Sequence, residues 1–432
     1  MRIALFFSLV VLSCAVIKPK QSVNLNEDFV YTLNRTFKSE ELEKLLRETE
    51  NSYILQTLFY NLKALNEELN RTVLNFFPNG SLDTKILDDK TNKNFISNFN
   101  LSWQLDFFGQ LRKIYESHVN LYQAFQENLT WQDRLLKSSI ALNYLSVCYI
   151  KSYLNKIYEG CKRLQSILNL VEERFNLGLE TKDQVLAAKL DHLNCLDQHL
   201  QFTITVLESE RNLYKIVGYN NLKFDLLQPS NPDLNLELDL IDSVIKRPDV
   251  KEAWQNLQQR IKLTEFALTD LLPSIRVDSQ FIKYSGSIGG FFPLEASGLP
   301  QFILTQPVLS IPNKIFSYRK NAFLVESQFA QLSQVIREAI WDIVWSVKTY
   351  QLAQARKQLL NEGSLDFEKI LDISKLRYIE GLTSIQELLL QEKRYIDYQA
   401  NKVLADLAFA VSVVNLALHI QDIAIELPSQ TP

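Results

Sequence analysis

Apolar residues recur every three to four positions through most of the chain, the spacing that lays a single stripe along an α-helix. The rhythm runs from about Gln104 to Phe175, Lys182 to Val217, Val250 to Leu271, Lys314 to Tyr378 and Ile385 to Ile420, with a shorter stretch at Leu42, Leu45 and Leu46. Around residue 340 the positions Ile336, Ile340, Ile343, Val347 and Tyr350 step by 4, 3, 4, 3, which is a coiled-coil seam. At about 1.5 Å per residue the first long segment would extend on the order of 100 Å if unbroken. A compact globule has no room for it.

Two regions interrupt this rhythm, and they resemble each other. The first runs Phe76-Phe77-Pro78, Ser81 to Leu87, a polar turn from Asp88 to Asn92, then Phe95 to Leu105; the second runs Leu271-Leu272-Pro273, Ile275 to Tyr284, a turn from Ser285 to Gly290, then Phe302 to Ile311. Each reads as a two-stranded hairpin bounded by turn residues, over about 81–105 and 274–311. Pro78 and Pro273 lie 195 residues apart, and two similar segments, Arg174 to Thr181 around Gly178 and Arg377 to Ser384 around Gly381, lie 203 apart. Such spacing implies an internal duplication, with repeats at 15–219 and 247–420, a linker at 220–246 and a tail at 421–432. Each half reads as helix, hairpin, very long helix, Gly-centred turn and long helix.

Composition fits long helices. Gly 11 and Pro 12 in 432 residues are well under half the ordinary share of chain breakers. Phosphate loops and dinucleotide turns, which need clustered glycines, are thereby mostly removed. A formal charge of -4 describes no nucleic-acid binder. The chain has only 4 His and no Ser/His/Asp arrangement or nucleophile with a base beside it, so no reaction and no cofactor is expected.

The chain opens with Arg2 and an apolar run from Ile3 to Leu12, too short to cross a bilayer, which reads as an export signal over residues 1–14. Val11-Leu12-Ser13-Cys14 resembles a lipobox, in which Cys14 becomes an acylated first residue; an ordinary signal peptide would discard it. Cys148, Cys161 and Cys195 fall on helical patterns and read as core thiols. His192, Cys195 and His199 share a helix face, a metal set without a fourth ligand. No later stretch reaches 18 consecutive apolar residues, so an exported chain of this kind is either soluble or spans as a β-barrel. In the first hairpin, Phe95, Phe99, Leu101 and Trp103 set against Ser97, Asn98, Asn100 and Ser102 favour the barrel. Four strands cannot close one, because spanning barrels start at about 8 strands. Three chains would supply twelve. The strands read here are short for a span of roughly 9–11 residues.

Several segments resemble the TolC-like outer-membrane factors, in the lipoprotein branch of the OprM/NodT type. Asn100-Leu-Ser-Trp-Gln-Leu-Asp-Phe-Phe-Gly109-Gln-Leu-Arg112 is similar to that family's strand-to-helix entry, Lys246-Arg247-Pro248-Asp249-Val250 to its Arg-Pro-Asp motif, and Pro307-Val308-Leu309-Ser310-Ile311-Pro312 to its second entry. The resemblance covers nearly the whole mature chain. It implies a mostly α protein with β hairpins: a trimeric duct in which a long α-helical coiled-coil barrel joins a 12-stranded β-barrel, four strands per chain. It further implies a passive exit channel in the outer membrane of a Gram-negative-type cell, reaching into the periplasm and served by a periplasmic adaptor and an inner-membrane transporter.

By the same resemblance, Arg174, Gly178, Thr181, Arg377, Gly381 and Ser384 would form the periplasmic tips that dock the adaptor. Glycine at positive φ and a Ser or Thr cap suit a tight helix-helix connection on physical grounds alone. The gate positions implied are Glu387 and Leu390, with Asp183 near the same level: a ring of carboxylates bordered by an apolar ring. The alternative from a different class is a periplasmic coiled-coil interaction or adaptor protein without a pore, its hairpins serving as packing elements.

Overall fold

A computed structural model describes residues 27–49, 52–89, 92–217, 240–285, 300–305 and 309–420, with short pieces at 224, 233–234, 295–296 and 425–426. The export signal with Cys14, the turn at 286–290 and most of the linker expected at 220–246 lie outside these residues.

The helices are α1 Glu27–Phe37, α2 Glu40–Glu48, α3 Tyr53–Leu74, α4 Gln110–Asn176, α5 Lys182–Val217, α6 Leu240–Lys246, α7 Pro248–Thr269, α8 Ile311–Glu362, α9 Ser364–Ile379 and α10 Ile385–His419. Helix α4 runs 67 residues without a break, about 100 Å at the helical rise. Its start is fixed by Gly109 at φ 75, and by the Asp106 carboxylate, which accepts from the amides of Leu111 (2.9 Å) and Arg112 (3.0 Å). Pro248 opens α7 at a position whose amide would have no helical partner, with Asp249 in the first turn where the helix dipole favours an anion.

These helices stand side by side. Toward the strands the order of neighbours is α3, α4, α7, α8, and toward the opposite end it is α5, α4, α10, then α8 and α9. The long helices α4 and α8 run through both halves, while the shorter ones meet end to end. The coiled-coil seam read around residue 340 faces this layer: Ile343 and Tyr350 are buried in the central core with Tyr144, Leu145, Phe409 and Val414, and Ile336, Ile340 and Val347 pack against it. Helices α1 and α2 cover the same core with Leu33, Phe37, Leu42 and Leu46. A second cluster, with Ile157, Leu164, Val171, Ala188, Tyr378 and Ile385, holds the far end. Helix α10 contains an 18-residue window apolar enough to cross a membrane, with mean hydropathy 1.5, and half of that window is buried. Its place between α4 and α8 explains the apolarity.

The strands are β1 Asn79–Asp89, β2 Asn92–Leu105, β3 Asp233–Leu234, β4 Ser274–Ser285, β5 Glu295–Ala296, β6 Gln301–Thr305 and β7 Ile425–Glu426. One antiparallel sheet has the order β1, β2, β4, with β5 and β6 both on the far side of β4; β3 and β7 pair separately. Strands β1 and β2 have 11 and 14 residues, so the shortness expected from sequence is corrected: both reach the roughly 9–11 residues that span a bilayer. Pairing carries each strand past the point where its apolar alternation stops. The return strand expected to reach residue 311 instead ends at Thr305 among the described residues, and Ile311-Pro312 opens α8. The helix expected from Lys314 to Tyr378 is interrupted at Gly363, where α8 gives way to α9.

Candidate functional site

The sheet has two chemically distinct faces. Register places Leu82 opposite Phe99, Phe99 opposite Phe281, Trp103 opposite Val277 and Val277 opposite Phe302, so one face is apolar across all four strands. The Phe99 and Phe281 rings lie 6.0 Å apart. The other face aligns Asp83 with Asn98, Asn100 with Gln280 and Ser102 with Asp278. There Ser102 Oγ donates to Asp278 Oδ1 (2.6 Å) and Asn100 Nδ2 to Asp83 Oδ2 (3.4 Å). Ser97, set with the polar positions from sequence, lies outside the residues whose side chains are described. Phe302 (77% exposed) and Leu304 (66%) leave that face open to its surroundings.

At the other end are the two Gly-centred turns, built alike. Helix α4 ends at Asn176 and α9 at Ile379, so both turns are shorter than the segments read from sequence. Gly178 (φ 74) and Gly381 (φ 72) adopt the left-handed backbone. Leu179 N donates to Arg174 O (2.8 Å) and Gly178 N to Phe175 O (2.9 Å); Leu382 N donates to Arg377 O (2.8 Å) and Gly381 N to Tyr378 O (3.0 Å). This is the Schellman arrangement twice over, with an Arg carbonyl as acceptor each time. Ser384 Oγ accepts from Glu387 N (3.3 Å), the expected cap on α10. Thr181 caps differently: its amide and hydroxyl both donate to Gln184 Oε1 (2.6 and 2.9 Å).

The two Arg side chains part company. Arg174 Nε lies 3.3 Å from Glu180 Oε1, and its guanidinium sits 5.0 Å from the centre of the Tyr378 ring, whose hydroxyl donates to the same Glu180 (3.1 Å). This knot ties the first turn to α9. Burial, and then the Glu180 carboxylate, push the Tyr378 phenol up to about 12, so it stays a donor. Arg377 is exposed, and no ion pair forms on it among the described residues. Glu387 and Leu390 stand on exposed positions one turn apart on α10, and Asp183 is exposed on the first turn of α5, in the other hairpin. One chain therefore does not assemble these three.

Three features escaped the sequence reading. Cys161 and Cys195 form a disulfide between α4 and α5, correcting the expectation of core thiols; only Cys148 is a free, buried thiol among the described cysteines. That bond also removes Cys195 from the metal set read with His192 and His199, and no group of three possible ligands occurs among the described residues. Second, Arg163 of α4 pairs with the fully buried Glu392 of α10. Third, Arg247 is buried at the junction of the two halves. It bonds Asp249 through Nε and Nη2 (3.0 and 2.7 Å), Asp342 (3.2 Å) and Ala339 O (3.3 Å), and contacts His419 Nδ1 (3.3 Å). Burial opposes its charge, but the Asp249 and Asp342 carboxylates prevail and hold the guanidinium above its ordinary value. Burial and then Arg247 lower His419, against a smaller pull from Asp342 and Asp249.

The sequence model of the outer membrane efflux protein family matches residues 76–219, from the foot of the first hairpin to the end of α5. The chain is 21% identical over 347 residues to the pyoverdine export outer membrane protein OpmQ of Pseudomonas putida, across 77% of this chain and 71% of that one. It is 23% identical over 346 residues to the cation efflux system protein CusC of Escherichia coli, across 77% of this chain and 73% of the relative. Among solved structures, the CmeC outer membrane channel of Campylobacter jejuni superposes with a TM-score of 0.80 at 16% identity, covering 94% of this chain and 89% of that one. The fold is that of the TolC-like channels, a helical barrel continued by a β-barrel, and the family works as outer-membrane efflux channels.

Proposed function

We propose that three copies of this chain close into one duct, a passive exit through the outer membrane for cargo driven by an inner-membrane transporter through a periplasmic adaptor. The observation that carries this reading is that both layers have free edges. In the sheet, β1 and β6 each have a partner on one side only among the described residues, and such edges are not tolerated in lipid. In the helices, α5 at one edge exposes Leu186, Leu190, Leu193, Leu200 and Ile204, while α8 at the other exposes Trp341, Trp345, Leu352 and Leu359. Each stripe lies on the side of its helix away from its own neighbour. Two unlike apolar edges on one chain suit a head-to-tail ring, and three chains give twelve strands.

In that ring the apolar face of the sheet meets lipid and the polar face lines the lumen. Glu387 and Leu390 would converge about the axis as a carboxylate ring beside an apolar constriction. The exposed Gly178 and Gly381 turns, with Thr181, Ser384 and Arg377, would dock the adaptor; Arg174, held by Glu180, would shape its turn from behind. Acylation of Cys14 would add an anchor beside the barrel, since one acyl chain alone holds only weakly. The test is the mass of the detergent-extracted protein together with conductance of reconstituted protein. A trimer with discrete single-channel currents is expected, and Leu390→Ser should raise its resting current. Release from membranes by high salt without detergent would overturn the barrel.

A further inference from the structure

The bond between Cys161 of α4 and Cys195 of α5 holds more of the first hairpin than packing does. Each cysteine lies 17 residues from Gly178, so the bond crosses the two helices about 25 Å above the turn. Among the described residues of α5 on the turn side of Cys195, Ala188 alone is buried. The facing stretch of α4 is gripped differently: Leu164, Ile167, Leu168 and Val171 are buried in one cluster with Tyr378, Leu388 and Ile396 of the second hairpin. The tip half of α5 therefore depends on the disulfide.

A cavity of about 330 Å³ lies beside that bond, between α5 and α10 over Leu164 of α4. Cys195 lines it and Cys161 does not. Its charged residues are Asp191 and Asp197 of α5 with Lys393 and Asp397 of α10, three carboxylates against one ammonium, a net charge of −2. Asp197, Lys393 and Asp397 are exposed, so the cavity is open to solvent. Its volume admits a small thiol, and its charge sorts thiols by theirs. Two negative charges at about 7 Å in water, screened by salt, change the local concentration of a unit charge about two- to threefold.

We propose that the Cys161–Cys195 bond is a thiol-exchange site, entered at Cys195 through this cavity by an uncharged or cationic dithiol and disfavouring anionic thiols, and that its reduction frees the tip half of α5. One thiolate of the dithiol bonds to Cys195 Sγ as the Cys161–Cys195 bond breaks, and the electron pair leaves on Cys161 Sγ, which takes a proton from water. The second thiolate of the dithiol then attacks the reagent's own bonded sulfur, closing a cyclic disulfide and releasing Cys195 as a thiolate that is protonated in turn. The dithiol is oxidised by two electrons and the protein disulfide is reduced by two. The reductant must come from outside the described chain, because Cys148 is buried 13 residues along α4 from Cys161, about 20 Å away. The site needs one chain only and stands apart from the duct.

The test uses full-length protein in detergent and three two-carbon thiols of different charge: cysteamine, 2-mercaptoethanol and 2-mercaptoethanesulfonate. The rate at which each reduces the bond, divided by its rate on an uncharged model disulfide, should fall in that order, by about fivefold from first to last. Asp191→Asn with Asp397→Asn brings the cavity to neutrality and should erase the order, while Lys393→Gln should widen it. Salt at about 1 M, where screening acts within about 3 Å, should compress the order in the unaltered protein, a check that needs no variant to fold. Peptide masses after an acid quench should place the first adduct on Cys195. After dithiothreitol, amide exchange from Lys182 to Asn194 should rise at least about tenfold while α9 keeps its protection. Equal relative rates for the three thiols, an order that survives salt and neutralisation, or a first adduct on Cys161 overturns entry through the cavity. A bond that reduces only in denaturant overturns the exchange site, and unchanged exchange in α5 after reduction overturns the release.

Discussion

The two helical hairpins of this protein have the same turn and different shafts. Each ends in a left-handed glycine, a pair of Schellman hydrogen bonds and a polar cap on the returning helix. Above the first turn, α4 is one continuous rod and a disulfide joins it to α5. Above the second, the descending helix of the hairpin breaks at Gly363, and α10 is held there by side chains alone: the Tyr398 hydroxyl donates to Leu360 O, Phe367 stacks on the Tyr398 ring at 4.3 Å, and Lys402 reaches Ser364 (3.4 Å). Turn chemistry fixes how a hairpin reverses. Shaft chemistry fixes how readily it opens, so the second hairpin should open at lower cost than the first.

The largest effect is expected where the two shafts meet. Arg163→Met leaves the Glu392 carboxylate buried without its cation, which should cost about 3–5 kcal/mol. Hydrogen exchange along α10 should rise sharply, and adding Glu392→Gln should restore much of the protection. If α4 loses protection equally, the shafts open together and the contrast fails.

Replacing Cys161 and Cys195 together by Ser removes a covalent closure across 34 residues, worth about 2–4 kcal/mol. Amide protection in α5 should fall toward that of α9 while α9 itself changes little. Equal loss in both hairpins would show that the staple acts on the whole layer.

The turns should behave as a matched pair. Gly178→Ala and Gly381→Ala each force a side chain into positive φ with no neighbour within 4 Å of the added carbon, so both should cost about 1 kcal/mol through the backbone alone. A thermal-melt difference larger than that between the two variants would reveal a role for one turn beyond reversal.

The smallest effect concerns the upper end of the second hairpin, where α10 ends at His419. Its pKa is lowered in the folded chain, so the unfolded chain binds the proton first, and the stability contributed is complete above the ordinary histidine range near about 6.5 and declines as pH falls below it. Exchange near residue 419 should quicken on going from about pH 7.5 to about pH 5.5, and His419→Asn should flatten that change.

Long helices, paired hairpins and tip glycines were legible because each is written in a local period or a single residue type. The disulfide had a signal too. Cys161 and Cys195 are equidistant from Gly178, and positions equidistant from a tight turn in two antiparallel helices face each other. Reading the cysteines by helix face, without that symmetry, left them as separate thiols. The break at Gly363 had almost none, since one glycine inside a helical pattern is usually tolerated; what marks the site is Tyr398, 35 residues away in sequence and against it in space. Arg174 enters the sequence reading only through the resemblance, as a docking residue, and nothing local in the sequence marks its partners, Glu180 and the Tyr378 of the other hairpin.

By itself the sequence determined the period of each element, the two-faced alternation of the strands and the left-handed turns, because hydrophobic spacing and the freedom of glycine act over a few residues. The tertiary structure alone decided which helix lies beside which and at what height. Those heights settle that Cys161 meets Cys195, that Arg163 meets Glu392, and that Arg247 gathers Asp249, Asp342 and His419. A stripe of equivalent leucines admits several offsets by whole turns, and only the packing of particular large and small side chains, such as Ile396 over Gly160, selects one.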